Sequence, residues 1–100
     1  MDITTLAELK KHSGPFFDRD TMEFFNSRVE SGIYRTGEET GYIVTSEQAG
    51  EEPRMYRVRK YEPSNFAPTP IRIDIVREFA TREEAMHTAR AWAKRDRSED

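Results

Sequence analysis

Arg54, Arg57, Arg59, Lys60 and Arg72 make one part of the chain denser in cations than the rest, and Tyr61 stands beside them. Guanidinium groups interleaved with an aromatic ring can meet a phosphate backbone and a base, or the carboxylates of an acidic protein surface. In the run Met55 to Glu62, Tyr56 and Val58 point one way along a strand while Arg57, Arg59 and Tyr61 point the other. If the strand that carries Arg72 lies nearby, Arg57, Arg59 and Arg72 project, with Tyr61 beside them, from the sheet face not covered by the final helix, with Asp74, Glu47 and Glu62 at hand to neutralise them. The partner-binding candidates are therefore Arg54, Arg57, Arg59, Tyr61 and Arg72.

Other chemistries find less support. A serine nucleophile needs a base and an orienting acid. The two histidines do not supply them: His12 sits at a helix end and His87 on a solvated helix face, with no Gly-x-Ser-x-Gly turn near either. Asp18-x-Asp20 resembles a fragment of a cation site, but no further acid is grouped with it and both residues suit helix capping. The glycines at 32, 37, 41 and 50 fall in turns rather than in a cluster that opens a helix, so a phosphate loop is not indicated. The order of strands before a final helix suggests a double-stranded RNA-binding domain, yet that helix begins Arg82-Glu83-Glu84, where two acids would repel a phosphate. No catalytic residue, metal ligand or cofactor site is assigned.

These residues need a scaffold, and the pattern predicts an α+β domain with two short N-terminal helices, three or four antiparallel strands and a C-terminal helix packed on one sheet face. Thr5-Leu6-Ala7-Glu8 is a capping box, and Gly14-Pro15 stops the helix that it opens. Asp20 with Glu23 makes a second box, for a short helix bearing Met22, Phe24 and Phe25. With Phe16 and Phe17 this places four phenylalanines within ten residues, which are expected in the core. Val29, Ile33 and Tyr34 suggest an extended segment broken by Ser31-Gly32. Gly41 to Glu47, aromatic and β-branched, is predicted as the central strand. Met55 to Glu62 is the next strand, Pro63 to Pro70 an irregular loop, and Ile71 to Val76 a strand with three isoleucines inward. Thr81-Arg82-Glu83-Glu84 opens the last helix, predicted to run to about Arg95 with Ala85, Met86, Ala89, Trp92 and Ala93 on its inner stripe.

The bulk numbers fit one domain over residues 1–95 with a charged, disordered tail at 96–100. Sixteen basic and nineteen acidic residues give a net charge of -3, so no global field steers the molecule onto nucleic acid. Without cysteine there is no disulfide, thiolate catalysis or cysteine-ligated metal. The first residues show no secretory signal and no stretch reaches the roughly 18 apolar residues of a membrane span, which points to a cytoplasmic protein.

Phe16-Phe17-Asp18-Arg19-Asp20-Thr21-Met22-Glu23-Phe24-Phe25-Asn26-Ser27-Arg28, followed by Gly32-Ile33-Tyr34 and Gly41 to Glu47 ending in Thr-Ser-Glu, resembles a group of small uncharacterised proteins of bacteriophages and other mobile elements. The likeness covers about a third of the chain and implies an α+β fold and a phage or plasmid setting. In that setting the expected function is that of a non-enzymatic interaction protein, an anti-CRISPR-like inhibitor of host defence that binds a host protein or protein–nucleic acid complex. The alternative is a small nucleic-acid-binding module using the arginine-rich sheet face.

Overall fold

Two threonines start helices by the same local exchange. Thr5 Oγ1 accepts the Glu8 N–H at 3.1 Å and donates to the Glu8 carboxylate at 3.2 Å, while Thr81 Oγ1 accepts the Glu84 N–H at 3.2 Å and donates to that carboxylate at 2.8 Å. The Glu8 carboxylate also takes the hydroxyl and N–H of Thr4, which hold its pKa below the ordinary glutamate value. The computed structural model describes residues 2–14, 19–64 and 70–98. They form α1 (Leu6–Ser13), α2 (Arg19–Asn26), β1 (Arg28–Val29), β2 (Tyr34–Arg35), β3 (Gly41–Glu47), β4 (Met55–Pro63), β5 (Ile71–Phe79) and α3 (Arg82–Ser98). Phe16, Phe17 and Asp18, and most of the proline-rich loop, lie outside the described residues.

β3 has the bounds that its composition suggests. It pairs antiparallel with β4 along its length, and its other flank is shared by β1 and β2. The break between those two short strands leaves β3 satisfied, because the Val44 N–H donates to the Ser31 hydroxyl at 2.9 Å and the Glu30 N–H donates to the Val44 carbonyl at 2.8 Å. β5 completes the antiparallel sheet beyond β4. It continues three residues past Val76 through a bulge: Val58 pairs with Arg77 and Arg59 with Ile75, so Val76 is extra and is 45% exposed.

The fold is α+β, with α3 against one sheet face as predicted, but both faces are covered. Tyr42, Val44 and Val58 pack with Ala85, Ala89 and Ala93 of α3, and the Tyr42 and Trp92 rings meet at 5.9 Å. Ile43, Tyr61, Ile71 and Ile73 pack on the other face with Ile3, Leu9 and Phe24, joined by Leu6 and Phe25. The N-terminal helices thus form a third layer, which their apolar edges require. α3 also runs beyond Arg95. Tyr42 Oη donates to the Asp96 carboxylate at 2.6 Å, and Arg97 donates to the Arg35 carbonyl at 2.8 Å. Residues 96–98 are helix rather than the expected disordered tail, of which only 99 and 100 lie outside the described residues.

α2 begins at Arg19, which places Asp20 inside the helix instead of at its cap, and frees its carboxylate for β5. Asp20 accepts the Ile75 N–H at 3.3 Å. Thr21 Oγ1 accepts the Ile73 N–H at 3.3 Å and donates to the Ile73 carbonyl at 3.4 Å. Two side chains of a helix thereby satisfy a strand edge that would otherwise invite another chain. Thr21→Val should keep the volume but strand both Ile73 groups, lowering stability by about 1–3 kcal/mol. The check is the urea midpoint at unchanged slope; an unmoved midpoint would show that the edge is sealed by other means.

Candidate functional site

Most of the arginines singled out by the sequence are consumed by the fold. Arg59 lies opposite Ile43 and Ile75, and its side chain is 0% exposed. Its Nε donates to Thr45 Oγ1 at 2.8 Å and its Nη1 to the Asp20 carbonyl at 2.9 Å, while Nη2 stands 3.4 Å from Glu47. Burial pulls its pKa below the ordinary arginine value. Arg57 is partly exposed and tied to Glu47 at 2.7 Å, Glu78 at 2.8 Å and Glu23 at 3.2 Å. Tyr61 lies opposite Gly41 and is fully buried. Arg72 lies opposite Glu62, so it shares the α3 face with Tyr42 and Lys60 and pairs with Asp74 at 2.8 Å.

The expectation that Arg57, Arg59, Tyr61 and Arg72 project together from an open face is corrected. α1 and α2 cover the face that holds Arg59 and Tyr61, and Arg72 belongs to the opposite one. The error came from treating the apolar side of β5 as the α3 side. Ile73 and Ile75 in fact share a face with Tyr61 and Arg59.

Arg54 keeps contact with solvent, and the structure gives it different company. Arg28, Ser46, Tyr56 and Phe79 form one cross-strand row on the α3 face, at the end of the sheet where α3 begins. Arg54 Nη1 donates to Ser46 Oγ at 3.0 Å, and Ser46 Oγ donates to Glu30 Oε2 at 2.9 Å. Arg28 Nε donates to the same Oε2. Arg82 Nε lies 3.3 Å from Oε1, and its Nη2 donates to the Glu30 carbonyl at 3.3 Å. The Glu30 side chain is only 9% exposed, whereas those of Arg28 and Arg82 are 57% and 50% exposed. Next to this cluster Tyr56 and Phe79 are half-buried, and the Arg77 guanidinium lies 5.4 Å over the Phe79 ring.

Burial alone would raise the Glu30 pKa, but hydrogen bonds from Arg28 and Ser46 and the charges of Arg28 and Arg82 bring it below the ordinary glutamate value. A carboxyl lowered in the folded state contributes stability above its unfolded pKa and loses it as pH falls through the native value. Glu30→Gln should therefore destabilise the protein at neutral pH, and the penalty should fade as the pH drops below the usual glutamate range. Denaturation midpoints of the two proteins measured against pH check this; a constant gap would mean that the carboxylate's charge is not what matters.

Chemically this end of the sheet can bind an anion: the guanidiniums of Arg28 and Arg82 meet one carboxylate, and that of Arg54 stands on the serine hydroxyl bonded to it. His87 lies on the exposed side of α3. Among the described residues no group of three or more His, Asp or Glu is placed to hold a metal ion, and no helix is long and apolar enough to cross a membrane. Sequence reasoning selected Arg54 but missed Arg28, Tyr56, Arg77, Phe79 and Arg82. The Thr81 capping box does fix Arg82 as the first residue of α3. Nothing local announces that Arg28 comes to lie across from Ser46.

Residues 2–91 match a protein family described as a family of unknown function (DUF7447). No curated protein and no solved structure matches the chain.

Proposed function

The chain belongs to this family of unknown function, and we propose, from its geometry, that it is a non-enzymatic interaction protein whose contact surface is the sheet end around Arg28, Arg54 and Arg82. The observation that carries this reading is the gathering of three arginines about two side chains, Arg28 and Arg82 on the nearly buried Glu30 carboxylate and Arg54 on the buried Ser46 hydroxyl that bonds it, beside two half-buried aromatic rings. Arginine and aromatic residues are the types enriched where protein partners are held most tightly. The loop at 48–53, exposed throughout, adjoins this end. The partner in this proposal is a host protein or protein–nucleic acid complex and the role is inhibition of a host defence system. That setting rests on the likeness of residues 16–47 to small proteins of phages and mobile elements.

The test uses tagged full-length chain in the cell that carries its gene. An Arg54→Glu, Arg82→Glu double variant should recover at least about tenfold less partner, the equivalent of one lost charge-assisted contact. Arg72→Glu, an exposed change elsewhere on the α3 face, should recover the wild-type amount. Equal recovery by the double variant would place the contact surface elsewhere.

A second reading, a nucleic-acid-binding module, draws on Tyr56 and Phe79 standing among the same arginines. Its mark would be a steep linear fall of log affinity with log salt.

A further inference from the structure

We infer that the sheet-end cluster is a seat for one carboxylate of an acidic protein partner, held by the guanidiniums of Arg28, Arg54 and Arg82; this rests on the reading of that end as the contact surface. The charges are unequal: two cations pair with one anion and a third, Arg54, is held by a neutral hydroxyl, which leaves two positive charges at a place where a guanidinium fork can grip an incoming carboxylate at two points. The cluster is also built before any partner arrives. Ser46 is fully buried and the Glu30 side chain nearly so. They hold the long arginine side chains in place through Ser46 Oγ for Arg54, Oε2 for Arg28, and Oε1 with the backbone carbonyl for Arg82. Side chains already ordered lose less freedom on binding.

The surroundings favour a discrete carboxylate over a nucleic acid. Glu83 and Glu84 are exposed immediately after Arg82, and Glu51 and Glu52 are exposed shortly before Arg54. A strand that carries a phosphate at every nucleotide would run from the arginines into these four acids, whereas a single acidic side chain would not. The net charge of -3 adds to the repulsion of an extended polyanion.

The experiment follows the arginine Nε–Hε resonances of the full chain by NMR during addition of a capped glycine-rich pentapeptide bearing a single glutamate, with oligothymidylate as a second probe. The glutamate peptide should shift the signals of Arg28, Arg54 and Arg82. Arg54→Gln, which leaves both ion pairs of Glu30 in place, should weaken its binding by at least about fivefold, in line with one charge-assisted hydrogen bond. Arg72→Gln should leave it unchanged. Three results would overturn the inference: no shift with the glutamate peptide, a shift indifferent to Arg54→Gln, or oligothymidylate binding more tightly with a steep salt dependence. If the partner recovered from cells needs Arg54 and Arg82 while the glutamate peptide leaves these resonances still, the carboxylate seat falls and the contact surface stands.

Discussion

Arg59→Ala should cost about 3–5 kcal/mol, enough to bring a domain of ordinary stability close to unfolding. On a solvated strand face the same change would be nearly silent. The difference lies in what Arg59 fills and feeds. Its side chain is fully buried, so alanine leaves a cavity between α2 and the sheet. Removal also takes the donors away from Thr45 Oγ1 and the Asp20 carbonyl. Glu47 is a smaller concern, since it is 38% exposed and keeps Arg57. Arg59→Met separates the two effects. It restores most of the volume but none of the donors, and should cost about 1–3 kcal/mol. Urea unfolding of the three proteins measures both numbers. If methionine were as damaging as alanine, hydrogen bonding would dominate and packing would matter little; if both were silent, Arg59 would not hold α2 to the sheet.

The elements that the sequence revealed are those whose causes are local. The Thr5 and Thr81 boxes need only four residues each to be recognised, and both are present with the expected partners. β3 was legible from its composition and its flanking glycine, to the residue. What escaped depends on contacts between distant segments. An arginine at an alternate strand position reads as solvent-facing by default. Arg59 breaks that default because a helix almost forty residues earlier lends it a backbone carbonyl. The bulge at Val76 is invisible in a run that alternates cleanly up to that residue, yet it turns Glu78 to the Arg57 side. The sheet-end cluster has the same origin. Arg28, Glu30, Ser46, Arg54 and Arg82 come from five places in the chain, and only the register of β1 on β3 and the start of α3 bring them together. The third layer could have been suspected from Leu6, Leu9, Phe24 and Phe25, four apolar side chains too many for a single sheet face already served by α3.

Gly41→Ala should destabilise the protein by about 1–3 kcal/mol, although removing a glycine from a strand is ordinarily favourable. Gly41 does not have a positive φ, so backbone freedom is not why glycine stands there. The cause is steric. A Cβ at this position would run into Tyr61 Oη, and would lie 2.7 Å from the Tyr61 Cζ and 2.6 Å from the Tyr34 carbonyl oxygen. Tyr61 cannot retreat easily, being fully buried with Ile3, Leu9 and Phe24. Its hydroxyl has no hydrogen-bond partner among the described residues, and burial raises its pKa to about 12. Tyr61→Phe alone is therefore expected to be neutral or mildly stabilising, unlike the loss of a bonded tyrosine hydroxyl. With Tyr61→Phe already in place the closest of the three contacts is gone, and Gly41→Ala should cost less than in the wild type, with a coupling of about 0.5–3 kcal/mol across the double-mutant cycle. The remaining penalty belongs to the ring carbon and to the β2 carbonyl, which the side-chain change does not relieve. Equal costs in the two backgrounds would mean that the ring carbon and the backbone of β2, and not the tyrosine hydroxyl, are what require glycine at this crossing.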